Sequence, residues 1–112
     1  MQVVRRSAAP TRSNPDGSRQ WIGHSEHLMM VAAEIGGGPA AKPNTPHAHP
    51  HEQIGYLEQG ELVVFVGDEQ SRVSPGDFWV IPGGVPHTVQ LLSKTAKLVE
   101  CFTPIREDFL KP

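Results

Sequence analysis

The sequence predicts a single small all-β domain. The chain has 112 residues, which is about the size of one domain and excludes a two-domain enzyme. Glycine and proline contribute 11 residues each and divide the chain into segments too short for a helical bundle. Short apolar segments recur between these breaks at a spacing of about ten residues, which is typical of a sandwich or barrel of strands.

The first third of the chain is the least regular part. Residues 1–20 are polar and interrupted by prolines, so we expect an N-terminal arm or edge strand before a barrel domain at 21–112. The segment 21–35 allows two structures. Ser25 can cap a helix of good helix formers, yet the same residues suit a buried strand. Gly36-Gly37-Gly38-Pro39 ends the segment in either case.

The rest of the chain predicts strands joined by tight turns. The expected strands are Ile54–Glu58, Glu61–Val66, Ser71–Ser74, Asp77–Ile81, Pro86–Leu92 and Ala96–Thr103. The turn signals between them are Gln59-Gly60, Gly67-Asp68, Pro75-Gly76, Pro82-Gly83-Gly84 and Ser93-Lys94-Thr95.

Two of these strands can be given an inner and an outer face, because side chains alternate across a strand. In the strand 86–92, His87 shares its face with apolar residues and should point inward, opposite Thr88. In the strand 96–103, Lys97 favours water, so Glu100 falls on the buried side. A buried carboxylate costs free energy unless it is paired, protonated or facing a wet cavity.

Charge and composition exclude several classes of partner. The formal net charge is −2, so the chain lacks the basic surface of a nucleic-acid binder. No segment approaches the roughly 18 apolar residues of a membrane helix. Cys101 is the only cysteine, which excludes an internal disulfide and favours a cytoplasmic location. We therefore expect a cytoplasmic protein without a nucleic-acid or membrane partner.

The histidines are the most informative residues of the composition. His47 and His49 lie two apart, so in an extended chain both imidazoles can reach one point, and Gln53 can add a carboxamide oxygen. Neutral imidazole is the commonest protein ligand of Zn, Ni, Cu and Fe. Histidines beside prolines are also common on solvated loops. The inward-facing His87 favours the metal site, whereas His51 follows a proline and cannot be placed.

The spacing of these residues resembles two motifs of the cupin family. The first is His47-x-His49-x3-Gln53-x6-Gly60, with Gln in place of the usual Glu and Ala41 in place of the leading Gly. The second is Gly76-x5-Pro82-x-Gly84-x2-His87, with Leu91 in place of the Asn. This resemblance implies a cupin-type jelly-roll β-barrel in which Leu28–Ile35 forms a strand. It also implies one divalent transition metal, whose ligands would be His47, His49, Gln53 and His87.

The glutamine in the first motif bears on the chemistry of the metal. Three imidazoles and an amide leave the charge of the ion uncompensated, which favours Lewis-acid chemistry over redox chemistry. The ligand set is compatible with Ni, Zn, Co, Mn or Fe.

Further stretches of the chain resemble the pectin-degradation cupins, which linearise unsaturated monouronates. They are HPHEQIGYLEQGEL, PGDFWVIPGGVPH and ECFTPIREDFL, and the resemblance covers most of His24–Leu110. It implies a metal-dependent isomerase that converts 4,5-unsaturated uronates of the galacturonate type to linear keto sugars.

Three residues of that family are functional and match Glu100, Phe102 and Arg106, with Glu where Asp is common. Glu100 is then the general acid/base and Arg106 binds the carboxylate of a small sugar acid. Phe102 forms a wall beside the sugar ring.

Each assignment has an alternative. Glu100 can belong to a buried ion pair, and Arg106 to a surface salt bridge with Glu107 or Asp108. The alternative functions are a cupin dioxygenase with a redox metal and a small-ligand-binding or sensory cupin without turnover. Because small barrels commonly pair through edge strands, we expect a homodimer.

Overall fold

The computed structural model describes residues 1–15 and 17–111, which form nine strands and two short 3-10 helices. The strands are β1 (Thr11–Ser13), β2 (Arg19–His24), β3 (Met29–Ile35), β4 (Glu52–Gln59), β5 (Leu62–Val66), β6 (Glu69–Val73), β7 (Phe78–Ile81), β8 (His87–Leu91) and β9 (Ala96–Thr103). The helices are Arg6–Ala8 and Glu107–Leu110. Neither helix of this described part is long or apolar enough to span a membrane. The prediction of an all-β fold is confirmed, and 21–35 contributes strands instead of a helix.

The strands form two antiparallel sheets that face each other. The larger has the order β1-β2-β3-β9-β4-β7, and the smaller has the order β6-β5-β8. β1 pairs with β2 at one edge of the larger sheet, with Thr11 opposite Trp21. The boundary expected between residues 20 and 21 therefore falls inside β2.

The core lies between the two sheets and is built by alternation along the strands. The larger apolar cluster contains Ala33, Leu57, Leu62, Val64, Val73, Trp79, Ile81, Leu91, Ala96 and Leu98. A smaller cluster contains Ile22, Met29, Val31 and Phe102. A Cβ at Gly55 of β4 would collide with the indole of Trp79, so this strand carries glycine where the indole crosses it.

The faces predicted for β9 are confirmed. Leu98 and Phe102 are buried, Lys97 is exposed, and Glu100 lines an interior cavity. In β8, His87 is buried as predicted, but Thr88 is buried as well.

The loop before β4 explains the burial of Thr88. Residues 40–47 run beside β8, with backbone hydrogen bonds from Ala40 to Leu91, from Asn44 to Val89 and between His47 and His87. The hydroxyl of Thr88 donates to the carbonyl of Asn44 at 2.9 Å. The loop thus pairs with the edge of β8 that does not face β5, and it places His47 next to His87.

Candidate active site

Three of the four predicted metal ligands meet between the sheets. The ligand atoms of His47, His49 and His87 all lie within 4.8 Å of one another. The backbones of His47 and His87 exchange two hydrogen bonds, at 3.1 and 2.9 Å, so the loop holds one histidine beside the other. The extended chain then places His49 two residues on, on the same side, as the sequence predicts.

Backbone carbonyls orient two of these rings. The Nδ1 atom of His87 lies 2.9 Å from the carbonyl oxygen of Val85, and that of His49 lies 3.1 Å from the carbonyl oxygen of His51. A carbonyl only accepts, so each Nδ1 carries the proton and each Nε2 presents a lone pair. Within residues 1–15 and 17–111, the buried Nε2 of His87 has no hydrogen-bond partner. A lone pair buried in this way fits a metal ligand.

Partial burial favours the neutral form of two of the imidazoles. It is the main cause that lowers the pKa of His47, and the charges of His87 and His49 act in the same direction. Burial also lowers the pKa of His49, against the hydrogen bond that the protonated ring would donate to Gln53. Neutral imidazole is the form that binds metals. The three histidines are thus positioned to bind a metal, and their donor set fits a divalent transition metal.

Gln53 of β4 connects this cluster to Glu100. Its buried side chain places Oε1 2.9 Å from Nε2 of His49, while its Nε2 donates to the Glu100 carboxylate. Both Oε1 and the Nε2 of His49 are acceptors when the Nδ1 of His49 carries the proton. Two converging acceptors repel each other unless a cation lies between or beside them. The amide oxygen of Gln53 thus faces His49, one of the three clustered histidines.

Glu100 is the acidic group of the site. It lies on β9 beside Gly55 of β4 and Val31 of β3. Burial raises the pKa of its carboxyl to about 7, against the charge of Arg106, which lowers it. No cation of the described residues lies within salt-bridge distance of it. Among the described residues, Glu100 therefore does not form the buried ion pair that was the alternative to a catalytic role.

A cavity of about 280 Å³ opens beside these groups. This volume is near the lower end of the range of about 300–1,000 Å³ that is usual for small-molecule sites. Its lining includes His47, His87, Glu100, Phe102 and Arg106. The loop before β4, the strands β8 and β9, and the segment after β9 thus line one cavity.

Phe102 and Arg106 lie at one side of this cavity. The Phe102 ring is buried and packs edge-on against His49, with 5.8 Å between centroids. Arg106 lies 4.1 Å above the Phe109 ring. Its Nε and Nη2 donate to Asp108 at 3.1 and 2.7 Å. The predicted salt bridge with Asp108 is thus present, on an arginine that also lines the cavity.

The cavity lining also includes residues outside the predicted site, among them Arg12 on β1, Trp79 on β7 and Phe109 in the C-terminal 3-10 helix. Arg12 lies 4.2 Å above the ring of Phe109. The positions of Arg12 and Phe109 depend on how the ends of the chain pack, and no spacing in the sequence signals the role of Arg12.

Comparison with known proteins agrees with this geometry. The family model described as "Cupin domain" matches residues 34–102, which include all four predicted ligands. The chain belongs to the cupin family. The fold predicted from the two motifs is confirmed.

Several cupins are similar to this one. The "Pectin degradation protein KdgF" of Dickeya dadantii is 33% identical over 93 residues, which are 82% of this chain and 82% of that protein. A solved structure of KdgF from Halomonas sp. has a TM-score of 0.78 and 33% identity, covering 88% of this cupin and 90% of that chain. An RmlC-like cupin from Shewanella frigidimarina has a TM-score of 0.84 at 25% identity, covering 97% and 96%.

Proposed function

We propose that this cupin is a cytoplasmic, metal-dependent isomerase that opens the ring of 4,5-unsaturated uronates and yields linear keto sugars. One observation carries the proposal: two histidines of the three-histidine cluster, a carboxyl group and an arginine line a single cavity. The similarity to pectin degradation proteins supports the substrate class, because unsaturated uronates are what lyases leave from such polysaccharides.

The metal would be held by His47, His49, Gln53 and His87. When bound, it supplies a Lewis acid that polarises oxygens of the substrate. The neutral side chains of this set favour that role over redox chemistry.

Glu100 moves the proton. Ring opening requires loss of the proton of the anomeric hydroxyl, after which the bond between the anomeric carbon and the ring oxygen breaks. An aldehyde and an enolate result, and the enolate takes a proton at carbon 4 to become a ketone. One proton leaves and one enters, so the product is an isomer. A carboxyl group with a pKa of about 7 can accept and return a proton at neutral pH.

Arg106 and Phe102 hold the sugar acid. Arg106 offers a planar fork that suits the uronate carboxylate, and Asp108 keeps that fork in place until substrate arrives. The buried ring of Phe102 forms an apolar wall beside the sugar and excludes water from Glu100.

The test follows the conjugated double bond of lyase-generated unsaturated galacturonate by its absorbance, with NMR identification of the product. We expect the protein to accelerate the decay and form the linear keto sugar. Glu100→Gln and Arg106→Ala should each slow it on the order of a hundredfold. Glu58→Gln, an exposed carboxyl on β4, is the matched control and should leave the rate unchanged.

The same samples separate the alternatives. Oxygen consumption with added Fe(II) and a phenolic or thiol substrate would indicate a dioxygenase and contradict the isomerase proposal. Binding of the uronate without loss of its double bond would indicate a sensory cupin. Unchanged decay in both site variants would remove the roles assigned to Glu100 and Arg106.

We also propose that the expected homodimer forms through the outer face of the larger sheet. Two adjacent rows of this face are apolar in the observed register, and we call them the outer apolar face. They contain Gly23, Met30, Cys101, Ile54 and Val80, then Trp21, Ala32, Val99, Tyr56 and Phe78. Phe78 and Val80 are 69% and 64% exposed. Adjacent exposed apolar side chains of this kind are typical of an interaction surface.

A second copy of the chain suits this face. The next row holds Arg19, Glu34 and Lys97 in register, so its charges alternate in sign. Glu34 is already paired with Arg6 of its own chain at 2.6 Å, so a two-fold axis would pack the apolar rows of the two copies together with Arg19 and Lys97 at the rim. This differs from the edge-strand pairing expected from the sequence.

A further inference from the structure

The N-terminal strand brings a second guanidinium to the cavity. Arg12 is the central residue of β1, and its side chain is partly buried, unlike those of Thr11 and Ser13. It lines the cavity together with Arg106 and Glu100. β1 is a three-residue strand at the edge of the larger sheet, and Arg12 is not part of the apolar core.

The two arginines approach one aromatic ring. The guanidinium carbon of Arg12 lies 4.2 Å from the centroid of Phe109, and that of Arg106 lies 4.1 Å from it. Stacking on a ring holds a guanidinium flat and leaves the N–H donors at its edge available. The Phe109 ring thus contacts both of the arginines that line the cavity.

The hydrogen bonds of the two arginines differ. Arg106 uses its Nε and Nη2 on Asp108, which is the fork that would otherwise take a carboxylate. Arg12 makes one long bond, from Nη1 to Oε1 of Gln20 at 3.3 Å. Among the described residues, no carboxylate lies within salt-bridge distance of Arg12. Arg12 therefore retains donors for an anion.

We infer that Arg12 is a binding residue for the carboxylate of the sugar acid, acting with Arg106 at the mouth of the cavity. This inference rests on the proposed function and assigns to the N-terminal strand a part in substrate selection. A carboxylate in the cavity gains a charge-assisted hydrogen bond from Arg12, whereas a neutral sugar gains none of that charge term. The sequence motifs of the barrel do not include this strand.

The experiment measures binding of D-galacturonate, a saturated sugar acid that does not react, by calorimetry. D-galactose is the neutral comparison. Arg12→Gln should weaken galacturonate binding about 10-fold to 100-fold and leave galactose binding unchanged. Arg12→Lys, which keeps the charge without the planar fork, should fall between. Arg19→Gln is the matched control, because Arg19 stacks on Trp21 outside the cavity and its loss changes net charge equally.

With the unsaturated uronate, Arg12→Gln should raise KM by the same factor and leave kcat within about twofold. Metal content and circular dichroism should match the wild type. Galacturonate binding that is unchanged in Arg12→Gln, or lost equally for galactose, overturns the inference while leaving the proposed function intact. A wild-type protein that neither binds galacturonate nor consumes the unsaturated uronate overturns both.

Discussion

Gln53 donates a hydrogen bond to Glu100 across two neighbouring strands, although the residues are 47 positions apart in the chain. The same amide presents its oxygen to Nε2 of His49 at 2.9 Å. One side chain therefore couples the histidine cluster to the acidic group. A glutamate, the usual residue of the cupin motif, can provide the oxygen but not the donor.

Gln53→Glu should retain the metal but lose activity. The new carboxylate would face Glu100 with a like charge and without a donor, which raises the pKa of Glu100 further. We expect activity at neutral pH to fall about tenfold or more and the pH optimum to move upward. Metal analysis and rate against pH measure both effects. Gln59→Glu, the same change at an exposed position of β4, should alter neither, and equal activity of the two variants would contradict the role of this contact.

Glu100→Gln should stabilise the metal-free protein at high pH. The pKa of the Glu100 carboxyl is near its ordinary value of 4.5 in the unfolded chain and is raised to about 7 by burial in the folded chain. The folded state therefore keeps the proton longer, and stability falls as pH rises from about 4.5 to 7. Above pH 7 the ionised carboxyl costs up to about 3 kcal/mol of unfolding free energy. The variant avoids this cost while still accepting the bond from Gln53.

Urea unfolding of chelator-treated protein at pH 4 and pH 8.5 measures the difference. The wild type and Glu100→Gln should differ mainly at pH 8.5. Glu58→Gln, exposed on β4, should behave as the wild type at both values. An equal difference at both pH values would show that packing, and not ionisation, separates the variants.

His87→Ala should abolish retention of the metal, whereas His51→Ala should preserve it. Both rings contain a buried nitrogen without a hydrogen-bond partner among the described residues. Only His87 has its ligand atom in the cluster with His47 and His49. The carbonyl that orients His49 is a backbone atom of residue 51, so it survives the substitution. Elemental analysis after gel filtration decides the matter, and loss of metal from His51→Ala would mean that the ligand set is wrong.

Gly55→Ala should destabilise the barrel by about 1–3 kcal/mol, as overpacking usually does. A methyl group at this position collides with the Trp79 indole, which lines the cavity. Thermal unfolding measures the loss, and Trp79 fluorescence should shift. Gly23→Ala on β2 is the control, because its nearest new contact is Val4 at 3.9 Å. Equal stability of the two variants would refute a tight contact between Gly55 and Trp79.

Ile54→Lys should convert a dimer to a monomer without unfolding it. Ile54 lies in the middle of the outer apolar face and is 47% exposed, so a lysine there meets water in the monomer but apolar groups in the dimer. Light scattering after gel filtration gives the mass. Lys97→Gln at the rim should weaken association less. A dimer that persists in Ile54→Lys would place the interface elsewhere.

The local chemistry of the site follows from the sequence alone. The spacing of His47, His49 and His87 relative to the turn glycines, and the period-two burial of Glu100, are properties of short segments. Strand alternation and turn geometry act over a few residues, so they can be inferred before the fold is known. The barrel class, the inward carboxyl and the meeting of the histidines were accessible in this way.

Only the tertiary structure decided which distant groups touch. β9 lies between β3 and β4, and this order, which no local pattern specifies, sets Glu100 beside Gln53. The loop along β8 buries Thr88, and the packing of the two chain ends brings Arg12 and Arg106 to the ring of Phe109. Such contacts depend on the global arrangement of strands because each joins segments far apart in the chain. The sequence thus determined the reactive groups, and the fold determined their partners.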